Sequence, residues 1–291
     1  MNKHEFVEKH EKLYDYVLME YEPLVNSTND YYVKLFSNAK KKLRLSNILF
    51  QSIKGSKIED QFIRLITNLR NKIGMNQTVW GIKMINQNIS WELYFYNHRQ
   101  PEIIKLNNIT DILAKSFNVA NFTIDESMPY RMFSFDISEK GIIDNYHIYF
   151  GKYFDDSFHA WSYNVSEKTI EFENHYEFFI PKNFKYLSEK LLLSSFLNSN
   201  IDINQILIPN FMKSKSICVA TKNKANGIYF SGLSIDNFLF FLKKFNYPQA
   251  MINYVEENKN KLDYIQFDIG FDYFIKNNSL SLNKSGFYGT I

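Results

Sequence analysis

Two residues near the C-terminus have side chains that could do chemistry together. Lys284 and Tyr288 are separated by an even number of positions, so on an extended strand they would share one face. A lysine in a protected site neutralises an anion, and the face of a tyrosine ring stabilises a cation. Farther upstream, Glu92 lies between Trp91 and Tyr94, and a carboxylate among aromatic rings has a raised pKa that suits proton transfer.

Each of these residues also has an ordinary structural interpretation. Lys284 could blunt an exposed terminal strand, Glu92 could be a salt-bridged strand residue, and any one tyrosine could simply pack. The residues alone leave both interpretations open.

A third group has the residue types of a metal site. Glu171, Glu173 and His175 follow one another at two-residue spacing, and His147 and His159 could add imidazole ligands. No HExxH motif and no clustered acidic loop accompanies them, so we predict no metal site here.

Two further nucleophile candidates lack the surroundings that such chemistry needs. Ser231 stands in Phe-Ser-Gly-Leu and not in a GxSxG elbow, so a serine hydrolase of that type is not predicted. Cys218 lies in an apolar segment and is predicted to be a buried, inert thiol.

The elements that would position these residues are five β-hairpins, because apolar and polar residues alternate with period two between turn residues. The paired strands are predicted at 78–84 and 89–96, 130–138 and 146–150, 158–165 and 169–179, 216–221 and 228–232, and 262–271 and 281–289. Helices are predicted after the first, third and fourth hairpins, and residues 1–75 are predicted to form an N-terminal helical segment that packs on the sheet.

Ten antiparallel strands with helices on one side fit either a closed barrel inside a ring of helices or an open α+β layer. The polar strand faces favour the barrel, because large aromatic side chains among charges are useful when they point into a lumen. We therefore predict a single α+β domain, residues 1–291, built as a ten-stranded antiparallel β-barrel from αββα-type repeats with helices packed outside. The predicted lumen residues are Glu92, Tyr94, Tyr96, Asp136, His147, Tyr149, Lys222, Tyr229, Gln266, Lys284 and Tyr288.

Composition excludes several classes of protein. The net charge is only +3 and the lysines are scattered, so a nucleic-acid partner is not predicted. No Gly-rich phosphate loop, signal peptide or apolar run of membrane-spanning length is present, and one cysteine fits a reducing compartment. We predict a cytoplasmic protein without a membrane span. Its aromatic content of 17% fits either codon bias or an aromatic-lined cavity.

Three short stretches resemble a known family. Lys-Ser-Gly-Phe-Tyr-Gly at 284–289 resembles the last strand of the ABBA (αββα) aromatic prenyltransferases of the soluble bacterial type. The stretch 131–136, returning through 146–150, resembles their second hairpin, and 227–231 resembles another strand end. In plan, the resemblance extends from about residue 75 to residue 291.

The resemblance implies transfer of a prenyl group from an allylic diphosphate to an aromatic small molecule inside the lumen. It implies that Lys284, Lys222 and Lys224 bind the diphosphate, with Mg²⁺ as a companion of the donor. Tyr288 would stabilise the allyl cation, and Glu92 would take the proton.

The chain also departs from this pattern. Asp144 and Asn145 stand where the family has a diphosphate-binding lysine, Gly227 replaces an asparagine, and Tyr94 replaces an aspartate linked to magnesium. These departures concern catalysis more than the fold. The alternative is a non-catalytic ligand-binding or interaction module on the same scaffold, and the sequence leaves the oligomeric state open.

Overall fold

The fold is that of a computed structural model of the chain. The structure describes residues 21–24, 31–34, 42–97, 100–122, 127–154, 157–192, 202–223, 225–276 and 279–291. Lys224, one of the three lysines that the resemblance assigns to the diphosphate, lies outside the described residues.

Fourteen strands are present in the described residues. In chain order they are β1 (Tyr21–Leu24), β2 (Tyr31–Lys34), β3 (Thr78–Ile85), β4 (Asn88–Tyr96), β5 (Asn118–Val119), β6 (Met132–Ile137), β7 (Ile142–Ile143), β8 (Asn145–Phe154), β9 (Ser157–Ser166), β10 (Ile170–Phe179), β11 (Ser216–Lys222), β12 (Asn226–Leu233), β13 (Phe267–Lys276) and β14 (Ser279–Thr290).

Ten of these strands close into one antiparallel barrel. Around the barrel the order is β3, β4, β6, β8, β9, β10, β11, β12, β13 and β14, and β14 pairs with β3 to complete the circle. Tyr288 on the last strand stands opposite Gly81 on the first. The predicted α+β class and closed ten-stranded barrel are thus confirmed.

The alternation in the sequence gives the barrel two different faces. Where helices cover the barrel, the outward residues are large and apolar, and they form a core between the barrel and the helices. Trp80, Trp91, Phe95, Phe133 and Phe230 are each at most 1% exposed. Burying each of these side chains contributes on the order of 1.5–3 kcal/mol. The polar residues between them are left to line the lumen.

The first hairpin shows how the turn residues set the strand register. Asn86 and Gln87 both have positive φ angles, 49° and 67°, which is the backbone of a two-residue type I′ turn. This turn matches the right-handed twist of the strands and pairs Ile85 with Asn88.

Seven α-helices lie outside the barrel in the described part of the chain. They are α1 (Ser46–Ile53), α2 (Glu59–Ile73), α3 (Leu106–Leu113), α4 (Leu187–Leu192), α5 (Ile235–Lys244), α6 (Gln249–Glu257) and α7 (Lys259–Leu262). None of the described helices is long and apolar enough to cross a membrane.

Helix α5 illustrates why the helices pack where they do. Ser234 caps it by accepting a hydrogen bond from the Asn237 N–H, as serine does at helix starts. One turn later, Phe238 stacks on Phe267 with ring centres 4.1 Å apart, and it contacts Phe287 edge-on. The helix is thereby fixed against β13 and β14.

Two features differ from the sequence-based expectations. Part of the predicted N-terminal helical segment is extended, because Tyr21–Leu24 and Tyr31–Lys34 form a two-stranded antiparallel sheet. The apolar positions of this stretch satisfy a strand pattern as well as a helical one. A short parallel pair, Asn118–Val119 with Ile142–Ile143, also lies beside the barrel and was not predicted.

The αββα repeat is incomplete at one position. Helices follow the first, third and fourth hairpins, as expected. After the second hairpin, β8 ends at Phe154 and β9 begins at Ser157, so only two residues separate the hairpins. The two adjacent hairpins therefore pair directly along their full length.

Candidate functional site in the barrel lumen

Five tyrosines form a closed circle inside the barrel. They are Tyr94 on β4, Tyr149 on β8, Tyr176 on β10, Tyr229 on β12 and Tyr288 on β14, one from every second strand. Neighbouring ring centres are 5.9 to 6.4 Å apart around the whole circle, which is within the range of aromatic pair contacts. We refer to these five residues as the tyrosine ring.

Glycines on the intervening strands make room for this ring. A Cβ atom on Gly270 would lie 2.1 Å from Tyr229 Cδ1, and one on Gly81 would lie 3.0 Å from Tyr288 Cε1. Any larger residue at Gly270 would overlap the tyrosine, so the missing side chain allows the phenol to lie flat against the wall.

The ring divides the lumen into two parts. Alternate strands of an antiparallel barrel run in the same direction, so residues that precede the ring on β4, β8, β10 and β14 lie at one end of it. Those residues are charged, whereas Tyr96 and Phe178, which follow the ring, are aromatic. We call the two parts the charged chamber and the apolar chamber, and together they form a cavity of about 460 Å³.

The ring tyrosines are neutral phenols. Burial raises the pKa of Tyr94, Tyr149, Tyr176, Tyr229 and Tyr288 above the ordinary value, and nearby carboxylates raise the pKa of Tyr94 and Tyr149 further. They therefore present π faces and hydroxyl donors to the lumen, and no phenolate charge.

Lys83 lies at the centre of the charged chamber. Its ammonium forms ion pairs with Glu92 and Asp136, at 2.7 Å in the case of Asp136. Burial works against the charge, but the two carboxylates outweigh it and raise the pKa of Lys83. Glu92 also accepts hydrogen bonds from the hydroxyls of Tyr94 and Ser134. A longer hydrogen bond from the Tyr149 hydroxyl, at 3.4 Å, is the fourth contact of this carboxylate. Glu92, the predicted catalytic base, is thus already engaged by one ammonium and three hydroxyl groups.

His147 joins two carboxylates of the chamber. Its Nε2 lies 3.1 Å from Asp136 and its Nδ1 lies 3.1 Å from Glu173. Burial opposes protonation, but these two hydrogen bonds raise the pKa of His147 to about 10. The same contacts overcome burial at Glu173, whose pKa falls to about 2, and Lys83 with His147 lowers the pKa of Asp136. The imidazole is therefore a cation at neutral pH.

Two more lysines lie in this chamber, Lys222 on β11 and Lys284 on β14, the strand next to β3. Lys222 binds both carboxylate oxygens of Asp272 at 2.8 Å and also reaches the hydroxyl of Tyr229 at 3.2 Å. Among the described residues, no carboxylate forms an ion pair with Lys284. Repulsion from Lys83, followed by burial and by repulsion from Lys222, lowers the pKa of Lys284 to about 8.

The described charges of the chamber balance one another. The cations are Lys83, His147, Lys222 and Lys284, and the anions are Glu92, Asp136, Glu173 and Asp272. All but Lys284 are paired in the described structure. Lys284 is thus the position where an added anion would find an unpaired cation.

One group of these residues has the geometry of a cation site. Ligand atoms of Glu92, Asp136 and His147 lie within 4.8 Å of one another. The ammonium of Lys83 is bonded to both carboxylates, however, and occupies the place that a metal ion would need. The cluster would accept Mg²⁺ only after Lys83 moves away.

A buried carboxyl group lies beside the ring at the apolar chamber. Asp268 stands directly across from Tyr288, lines the cavity, and accepts a hydrogen bond from the Gly232 N–H at 3.0 Å. Burial raises the pKa of Asp268 to about 8, against the hydrogen bonds from Gly232 and Ser231. Asp268 is a neutral acid at pH 7 that ionises close to physiological pH.

The structure brings most of the predicted lumen residues together. Glu92, Tyr94, Tyr96, Asp136, His147, Tyr149, Lys222, Tyr229, Lys284 and Tyr288 all line the cavity. Gln266 does not line the cavity, because it precedes Phe267, the first residue of β13, and so lies outside the strand.

Four important lumen residues were missed in the sequence. They are Lys83, Glu173 as a lumen residue, Tyr176 and Asp268. The period-two pattern would have found Asp268, which shares the polar face of its strand with Gln266 and Gly270, whereas Tyr176 shares the more apolar face of β10 with Phe178. Lys83 stands in an otherwise apolar strand, which is itself a signal that a charge is buried for a reason.

A metal site in the third hairpin would need Glu173 and His175 on the same face of their strand, and the structure contradicts this. The strand register shifts between Phe172 and Asn174, so a bulge turns Glu173 into the lumen beside His147. His175 instead points outward, where its Nε2 lies 3.0 Å from Nδ1 of His159. Glu173 and His175 therefore lie on opposite sides of the barrel wall. Cys218 is buried in the wall, as expected.

Fold and site together define the class of this protein: an α+β ten-stranded antiparallel barrel with outer helices and a lumen divided by a tyrosine ring. No protein-family model matches the chain, and no curated protein matches it.

Proposed function

We propose that this protein transfers a prenyl group from an allylic diphosphate to an aromatic small molecule inside the lumen. The observation that carries the proposal is the tyrosine ring, which stands between a chamber of charged side chains and a chamber lined mainly by aromatic and apolar side chains. The reaction needs this sequence of environments, because an anion leaves in one direction and a carbocation is captured in the other.

The ring supports the cationic step. Ionisation of the donor leaves an allyl cation that must be kept from water, and each aromatic face stabilises a cation by roughly 0.5–2 kcal/mol. Tyr288 contacts the rings of both Tyr94 and Tyr229, so a cation at this level meets several faces at once. The neutral state of these phenols prevents them from trapping the cation as phenolates.

The charged chamber supports binding of the diphosphate. Lys284 lacks a carboxylate partner among the described residues, and Lys222 would exchange Asp272 for phosphate oxygens. Because the described charges already balance, the donor fits best as a complex with Mg²⁺, which cancels part of its negative charge. This magnesium would travel with the donor and leave the Lys83 cluster intact.

Asp268 replaces Glu92 as our proposed proton acceptor. Glu92 is held by Lys83 and by hydroxyl donors, whereas Asp268 lies across from Tyr288 and faces the apolar chamber. A general base works best when its pKa is near the working pH. With a pKa of about 8, Asp268 is only partly ionised at neutral pH, and its carboxylate form would take the proton.

The balanced charges favour a second candidate function, a lumen that binds a small molecule without catalysis. Such a ligand would be aromatic, with an uncharged polar group directed toward the charged chamber. The two functions differ in whether an added anion binds near Lys284.

The test is a thermal-shift titration of the whole chain with dimethylallyl or geranyl diphosphate, with Mg²⁺ and with chelator. A donor at about 100 times its Kd adds about 2.7 kcal/mol to the stability of the fold. We expect a rise in Tm with Mg²⁺, and loss of this rise in Lys284→Ala. The unliganded Tm of Lys284→Ala should stay close to wild type, because the replaced ammonium is repelled by Lys83 and Lys222.

The matched control is Lys115→Ala, which removes an exposed lysine far from the lumen and should keep the full shift. A shift without prenylated product, tested against a panel of hydroxylated aromatics by mass spectrometry, would favour the binding function. No shift with either donor in either buffer would overturn the transferase proposal.

A further inference from the structure

Three side chains on the outer face of the barrel form a continuous hydrogen-bonded chain that the lumen does not use. Ser157 Oγ lies 2.9 Å from Nε2 of His159, and Nδ1 of His159 lies 3.0 Å from Nε2 of His175. All three are partly buried and accessible from outside. The arrangement is independent of the proposed prenyl transfer.

The two imidazoles are joined in line. Their planes are 15° from parallel and their centres are 5.2 Å apart, as expected for rings that share one N–H···N bond edge to edge. Trp161 lies alongside both rings, 5.5 Å from His175 and 6.3 Å from His159, and limits their rotation. The line through the two nitrogens leaves no space for a metal ion between them.

This order of groups is that of a nucleophile, a base and a group that orients the base. The Ser157 hydroxyl has two acceptors in reach, the Phe154 carbonyl oxygen at 3.2 Å and Nε2 of His159 at 2.9 Å. When Nδ1 of His159 donates to His175, Nε2 can accept the hydroxyl proton over the shorter of the two distances. Burial, followed by the neighbouring His159 and Lys190, lowers the pKa of His175, so this imidazole stays neutral and can accept.

Two neighbours on the same outer face complete the site. Lys152 stands directly across from His159 on β8 and carries its ammonium 5.2 Å from the centre of the Phe154 ring. Phe154 is 44% exposed and meets His159 edge-on. A cation and an exposed aromatic surface beside a serine suit an ester with an aromatic group.

We propose that Ser157, His159 and His175 form a second reactive site that hydrolyses small aryl esters. Ser157 Oγ attacks the ester carbonyl carbon while its proton passes to Nε2 of His159. The bond to the aryl oxygen breaks, and the phenol leaves with that proton. Water then attacks the acyl-serine with His159 as base, which releases the carboxylic acid and restores the serine.

The experiment is labelling of the whole protein with a fluorophosphonate probe, followed by mapping of the labelled peptide. We expect the label on Ser157, no label there in Ser157→Ala, and a rate lower by about 10²–10⁴-fold in His159→Gln. Ser166→Ala, which removes a hydroxyl from the other end of the same strand, should be labelled like wild type. Hydrolysis of p-nitrophenyl acetate should follow the same order.

A second variant separates reactivity from folding. In Ser157→Cys, alkylation by iodoacetamide should be fast and should slow markedly when His159→Gln is added, while buried Cys218 stays unmodified. Wild type that remains unlabelled, a label on another residue, or equal rates in wild type and His159→Gln would overturn the proposal.

Discussion

At the residue scale, the charge of the lumen depends on how Lys83 is held. A buried ammonium is costly unless it is paired, and here two carboxylates and their hydroxyl donors surround it. The same ion pair, together with His147, lowers the pKa of Asp136, and Asp136 in turn helps to keep His147 charged. One strand lysine thereby influences the protonation of two other residues.

Asp268 is the opposite case, because burial outweighs the hydrogen bonds and the attraction of Lys215 that act on its carboxyl group. Its pKa is about 8 in the fold against an ordinary value of 3.8, so the folded state holds a proton that the unfolded chain releases. The contribution of the neutral carboxyl group to the free energy of unfolding is fully present below about pH 4 and is lost as the pH rises through about 8. In Asp268→Asn this loss should be absent, with a difference on the order of a few kcal/mol at pH 9.

The measurement is urea denaturation of both proteins at pH 5, 7 and 9. Other titrating groups, including Lys284, contribute equally to both proteins, so only the difference between them matters. Parallel pH curves for wild type and Asp268→Asn would show that Asp268 is not the buried neutral acid described here.

At the element scale, the tyrosine ring depends on the glycines of the intervening strands as well as on the strands that carry the tyrosines, because Gly81 and Gly270 leave the space that the rings fill. We predict that Gly270→Ala destabilises the fold by about 1–3 kcal/mol, because its Cβ would overlap Tyr229. Adding Tyr229→Ala to this variant should recover part of the loss, as expected for residues in contact. Chemical denaturation of the single and double variants measures this coupling.

Gly286→Ala is the matched control on the neighbouring strand, since its added Cβ would meet its nearest neighbour at 3.3 Å and should cost less. A Gly270→Ala protein as stable as wild type would mean that Tyr229 does not lie against that glycine.

The strands themselves could be predicted because alternation with period two is local. Each of the ten barrel strands overlaps a predicted one, and the lumen positions of Tyr94, Tyr149, Tyr229 and Tyr288 follow from the same alternation. The bulge before Asn174 could not be predicted, since it depends on the register with β9. Pairing of Lys83 with Asp136, 53 positions apart, likewise depends on barrel closure.

At the scale of the whole molecule, one thiol can report on access to the lumen. Cys218 is the only cysteine, lines the cavity, and stands directly across from Tyr229. Burial raises its pKa, so modification by methyl methanethiosulfonate should be slower by at least an order of magnitude than in urea. A ligand in the lumen should slow it further.

Mass spectrometry of the intact protein follows this modification, and Cys218→Ser supplies the unreactive reference. A thiol in the native protein that reacts as fast as in urea would place Cys218 on the outside, contrary to the barrel described here.

The closed circle of five tyrosines has one further consequence. Their planes are tilted by 41° to 66° from one neighbour to the next, always in partial edge-to-face contact, around a circle without a beginning. Each tyrosine side chain packs against the one on either side of it, so a tyrosine that changes its rotamer disturbs both of its neighbours. The aperture of the barrel is therefore a property of the five side chains acting together.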